Sequence, residues 1–137
     1  MADAAAEFER RTGGEEWIPY WDAGRRRELR FQRCTACGQW RFPPQPMCAS
    51  CHSLDHEWAL SSGKARLLSW VVVYPPVLPA WKERTPYVVV LVESDEGCRT
   101  MGNLLGATAD DLRMDMPMRV DFASSVDGDL VPQWRPA

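Results

Sequence analysis

Residues 34–51 read CTACGQWRFPPQPMCASC, and their spacing decides the fold. Cys34 and Cys37 form one Cys-x-x-Cys pair, Cys48 and Cys51 form a second, and the stretch between them carries Pro43, Pro44 and Pro46. Each such turn presents two sulfurs from one tight knuckle, so two knuckles complete the tetrahedral thiolate shell that zinc prefers and leave no position for water. A shell closed in this way is structural. Iron is the rival occupant, because ligand type alone does not separate the two metals.

Two other readings of the cysteines fare worse. Disulfides belong to exported chains. Residues 1–14 have no apolar core and place Asp3, Glu7 and Glu9 where a secretory signal would begin, so a reduced, cytoplasmic chain is expected. The run Cys48-Ala49-Ser50-Cys51-His52 matches the c-type haem attachment pattern, but that reading requires export and leaves Cys34 and Cys37 without a role.

Outward from the cysteines, 137 residues suffice for one ordinary core or for a metal-stapled module joined to a larger domain. A net charge of −3 gives no general pull toward nucleic acid, and prolines interrupt the apolar stretches, so no membrane span is expected. Seven tryptophans in so short a chain favour a binding surface, since Trp serves interfaces as well as cores.

On the N-terminal side, residues 1–14 end in Gly13-Gly14 and read as a disordered tail. Residues 15–33 read as a short helical segment, opened by Pro19 and ending near Gly24, followed by a lead-in strand. Trp17, Tyr20 and Trp21 crowd one side of that helix, a face that must be covered; packing on its own fold is the favoured cover, with docking on another subunit as the alternative. Arg25, Arg26 and Arg27 then open a basic run. Such a run is ordinarily a solvated face, and the competing reading has these three meet cofactor phosphates or an acidic partner surface.

On the C-terminal side, a zinc ribbon over 34–62 gives way at Gly63 to a strand-rich region over 63–137. Strands are expected at 67–74 (LLSWVVVY), 87–93 (YVVVLVE), 98–105, 118–123 and 129–134, with tight turns at Asp95-Glu96-Gly97 and Asp127-Gly128. Thr108 and Asp111 mark a capped helical turn between the third and fourth strands. Three strands, a short helix and two strands is the order of an OB-fold, a five-stranded Greek-key barrel. The fold class is therefore mainly β.

The order of these motifs resembles one family. WDAGRRRELRFQRC, the knuckles CTAC and CASC, the turn Arg41-Phe42-Pro43-Pro44, PYVVVLVE, Gly102-Asn103-Leu104 and the closing Pro132-x-Trp134-x-Pro136 are similar to the zinc-ribbon/OB-fold accessory proteins of thiolase-superfamily enzymes. The resemblance runs from about residue 15 onward. It implies a helical segment, a rubredoxin-like ribbon and an OB-fold, assembled as a non-catalytic subunit with a thiolase, thiolase-like aldolase or acyltransferase partner. It also implies an acyl-CoA or related acyl substrate, with a coenzyme A thioester as a ligand shared with the partner.

The residues agree with a non-catalytic role. Thiolase chemistry needs an activated Cys nucleophile with His and a second acid or base, whereas His52 and His56 lie beside a closed metal site and Cys98 has no adjacent base. No catalytic residue is assigned. Residues 75–86, PPVLPAWKERTP, join the first two barrel strands, one of the loops through which an OB-fold reaches ligands. Val77, Leu78 and Trp81 on this proline-stiffened loop are the expected contacts with a partner or its substrate channel; the alternative is a loop folded back on the barrel. The alternative function is a nucleic-acid-binding module, since ribbons and OB-folds both serve that role. A self-contained enzyme is third.

Overall fold

Two antiparallel sheets, one of three strands and one of five, meet across a shared core in the computed structural model, which describes residues 13–125 and 128–137. Residues 1–12, most of the expected tail, lie outside the described residues, as does Asp127 of the expected turn at 127–128.

A 3₁₀ turn at Glu15–Trp17 leads into helix α1, Ile18–Arg25, with Pro19 in its first turn where the missing N–H costs nothing. The aromatic face of α1 packs on its own chain. Trp17 stacks on Trp21 and meets Phe42 edge-on, and Tyr20 lies between Trp21 and Phe42. The opposite approach, to the barrel, is close: a Cβ on Gly24 would stand 3.1 Å from the Leu130 carbonyl oxygen, so a side chain there would press the helix away from β8.

The smaller sheet has the order β2-β1-β3, formed by β1 (Arg30–Cys34), β2 (Trp40–Arg41) and β3 (His56–Leu60). Of these, only β1 stood out in the sequence. The sheet is thin and solvated on much of its surface, so β3, HEWAL, carries no alternating pattern to betray it. Phe31 of β1 is fully buried and joins the barrel residues in one cluster, so ribbon and barrel are not independent units.

The larger sheet comprises β4 (Lys64–Val73), β5 (Tyr87–Ser94), β6 (Arg99–Asn103), β7 (Pro117–Ser124) and β8 (Leu130–Pro136), in the order β6-β5-β4-β7-β8. A bulge between Leu67 and Ser69 bends the long β4, which pairs with β7 at its start and with β5 along its length. The two outer strands then approach: Leu104 bridges Trp134 in parallel, and the Leu105 N–H donates to the Trp134 carbonyl at 2.8 Å. This nearly closes a five-stranded barrel of OB-fold order around Trp134, Leu67, Val90, Val92 and Met118, all buried. The short helix expected before β7 is a single 3₁₀ turn, Ala109–Asp111, because Leu112 immediately turns into the core. The Asp111 carboxylate accepts from the Thr108 N–H at 2.8 Å, the capping contact expected of that pair.

A carboxylate fastens the linker between the two sheets. Glu96, in the β5–β6 turn, accepts from the Ser61 hydroxyl and from the Ser62 N–H, while the Ser61 N–H donates to the Leu29 carbonyl at 2.8 Å. No helix among the described residues is long and apolar enough to cross a membrane.

Candidate metal centre and docking groove

The knuckles are built by backbone hydrogen bonds. Cys34 N–H donates to Gln39 O and Gly38 N–H to Cys34 O; Cys48 N–H donates to Ser53 O and His52 N–H to Cys48 O. The turns bring four sulfurs together, all within 4.8 Å of one another, with Cys34–Cys51 and Cys37–Cys48 separations of 3.6 Å. Zinc–sulfur bonds of about 2.3 Å in a tetrahedron require sulfurs about 3.8 Å apart, so this donor set fits the ion.

The electrostatics point the same way. Backbone N–H groups of Cys51 and Ser50 pull the Cys48 thiol down to about 6. The Gln39 backbone N–H lowers Cys37 as well, but burial and the neighbouring sulfurs prevail and take it up to about 12. Crowded sulfurs resist sharing negative charge, and a divalent cation relieves that repulsion. Cys34 and Cys48 are buried, while Cys37 and Cys51 face outward.

Neither histidine belongs to the shell. His52 is exposed, and His56 Nε2 lies 3.3 Å from Gln32 Nε2. The Gln32 carboxamide oxygen already accepts from Arg41 Nε at 2.9 Å and from the Gln45 N–H at 2.8 Å. Its amide group therefore donates to the ring, and His56 Nε2 is the acceptor. Cys98 is equally removed from chemistry: it is buried, and burial, helped by Glu96, pushes its thiol up to about 12.

The loop at 75–86 folds into a 3₁₀ turn, Pro79–Arg84, and its side chains divide. Leu78 is exposed, Val77 is half-buried, and Trp81 packs against Tyr87 with ring centroids 4.9 Å apart while Arg84 covers its face at 5.6 Å. Leu78, Trp81 and Arg84 form one wall of a groove of about 580 Å³, with Tyr20, Trp21 and Met101 among its other lining residues. Val77 does not line it. Met101 was not singled out in the sequence, although its place opposite Leu91 follows from strand pairing.

The arginine run sits near this groove and is partly spent on the protein's own acids. Arg25 lines the groove, meets Asp22 at 2.8 Å and reaches Asp129 at 3.3 Å. Arg26 lies 3.7 Å from Glu28 and donates to the Asp22 carbonyl. Arg27 is exposed at the left-handed φ of 60°.

Comparison with known proteins gives the fold relatives. Residues 21–57 match the rubredoxin-like zinc ribbon domain of ChsH2, and residues 58–123 match its C-terminal OB-fold domain. A probable enoyl-CoA hydratase alpha subunit of Thermomonospora curvata is 36% identical over 118 residues, 86% of this chain; the chain spans only 36% of that relative's length. A DUF35 domain-containing scaffold protein of Methanothermobacter thermautotrophicus is 31% identical over 65% of this chain and 67% of its own. Among solved structures, a chain of the Ltp2-ChsH2(DUF35) aldolase superposes with a TM-score of 0.82 at 34% identity, over 90% of this chain and 95% of that one.

Proposed function

The chain belongs to the ChsH2/DUF35 family of zinc-ribbon and OB-fold proteins, and from that premise we propose that it is a non-catalytic accessory subunit of a thiolase-superfamily partner. In this reading it supports the partner's action on an acyl-CoA or related acyl substrate. The observation that carries the proposal is the superposition of 90% of this chain on a chain of the Ltp2-ChsH2(DUF35) aldolase. It is consistent with the places of Cys98, which is buried, and of His56, whose Nε2 faces the Gln32 amide.

Zinc on Cys34, Cys37, Cys48 and Cys51 would supply the cross-link that folds the ribbon, and with it the platform for Phe42 and the aromatic face of α1. The groove beside Trp81 and Leu78 is the proposed border between this subunit and the partner's acyl channel. Nothing favours the nucleic-acid alternative: net charge is −3, and Arg25 is paired to two carboxylates.

The test is purification of the tagged full chain from its native host with identification of what accompanies it. A thiolase-superfamily subunit in stoichiometric amount supports the reading, and a chain that elutes alone at physiological salt contradicts it.

A further inference from the structure

An antiparallel sheet with one face in a core and one in water alternates apolar and polar residues. The end of β4 and the middle of β5 do not, although β4 keeps the alternation at its start, where Lys64 and Arg66 face water. Val90 and Val92 point inward and are fully buried, so Val89 and Leu91 between them point outward. Across the strands, Val71 lies opposite Val89, Val73 opposite Tyr87, and Leu91 opposite Met101. The outer face therefore carries an apolar strip, flanked by Ser69, Asn103 and the Glu93–Arg99 pair, with Val71 58% and Met101 67% exposed. Trp81 on Tyr87 carries the face to the loop, where Leu78 is 73% exposed. Contiguous apolar surface of this kind on a folded chain marks a contact.

We propose that this outer face of β4–β6, continued by Leu78, is where the catalytic partner subunit sits, and that the partner meets it with an apolar patch edged by carboxylates. The inference rests on the accessory-subunit reading. On that reading the docking surface lies on the fold itself, because the matched chain of the solved aldolase is covered over 95% of its length and leaves little appended segment to do the binding. The charge at the rim selects the occupant. At the loop end of the rim Lys82 and Arg84, beside Trp81, outnumber Glu83, while at the far end Arg99 on β6 lies opposite Glu93. A second copy docking face to face would bring the same cations to the same rim, whereas a partner with acids there is complementary.

The test compares methionine oxidation in the purified full chain and in the complex purified from the host, whose partner is identified by mass spectrometry. Met114 is 62% exposed in the turn before β7 and serves as the internal control. Against a thiolase-superfamily partner, Met101 oxidation slows several-fold while Met114 is unchanged, and Met101→Glu weakens the complex on the order of thirtyfold. If the same partner binds while Met101 oxidises at its free rate, the face is wrong and the accessory reading stands. If the stoichiometric companion is not thiolase-like, or is absent, both fail. If the chain alone is a dimer that Met101→Glu makes monomeric, the face belongs to a second copy and the proposal is overturned.

Discussion

Gly38 and His52 occupy equivalent places in the two knuckles. Each is the fourth residue past the first cysteine of its pair, each donates its N–H to that cysteine's carbonyl, at 2.9 and 3.0 Å, and each is left-handed, with φ of 80° and 64°. One knuckle uses the residue suited to that conformation and the other tolerates a side chain there.

Gly38→Ala should therefore destabilise the zinc-loaded protein by about 1 kcal/mol, and His52→Gly should be neutral or stabilising. The alanine Cβ would meet nothing nearer than Arg33 Nη2 at 3.9 Å, so the cost is backbone strain and not a clash. Thermal melts of both variants at saturating zinc check the pair.

Removing the metal should unfold the ribbon and loosen α1. Cys48 is buried and its sulfur is one of the four, so Cys48→Ser should lose stoichiometric zinc and several kcal/mol of stability. Metal analysis with a chelator titration followed by circular dichroism reads this. A metal-free protein with an unchanged melt would remove the structural role of the site.

Cys98 and Tyr20 should set the alkaline limit. Burial raises both to about 12, opposed at Tyr20 by its hydrogen bond with Thr100. Groups raised in the folded state stabilise it fully below their unfolded values, about 8.5 and 10, and that contribution is lost as pH rises toward 12. Stability should fall between about pH 9 and 12, and Tyr20→Phe should reduce the slope. In chelated protein at neutral pH the ribbon thiols should alkylate well before Cys98.

Trp81→Ala should leave zinc content unchanged. Its ring contact with Tyr87 is worth about 1 kcal/mol to the isolated chain, whereas truncating an aromatic anchor at a packed interface costs about 2 kcal/mol or more, roughly thirtyfold in affinity. Titration calorimetry against the purified partner distinguishes an interface residue from a core one.

The metal knuckles and barrel strands were legible because their signals are local: Cys-x-x-Cys spacing, β-branched runs, and a Thr108–Asp111 cap. What the sequence hid was long-range. Nothing near Arg25 announces Asp129, 104 residues away, and nothing in HEWAL marks a strand whose partner is β1. The loop at 75–86 was recognised as a candidate contact, but not that Trp81 would lie on Tyr87 while Leu78 stands clear, which depends on where the 3₁₀ turn begins. The outward apolar face was present in YVVVLV as a missing alternation, yet assigning its two sides needed the register with β4 and β6.

Reconstitution tests the central claim most directly. The partner subunit, purified without this chain, is assayed for acyl-CoA turnover alone, with the wild-type chain, and with Trp81→Ala. The accessory reading predicts no turnover by the chain alone, kcat/KM of the partner raised on adding it in equimolar amount, and a partial loss of that gain with Trp81→Ala. Equal kcat/KM with and without the chain, or turnover by the chain alone, would contradict it.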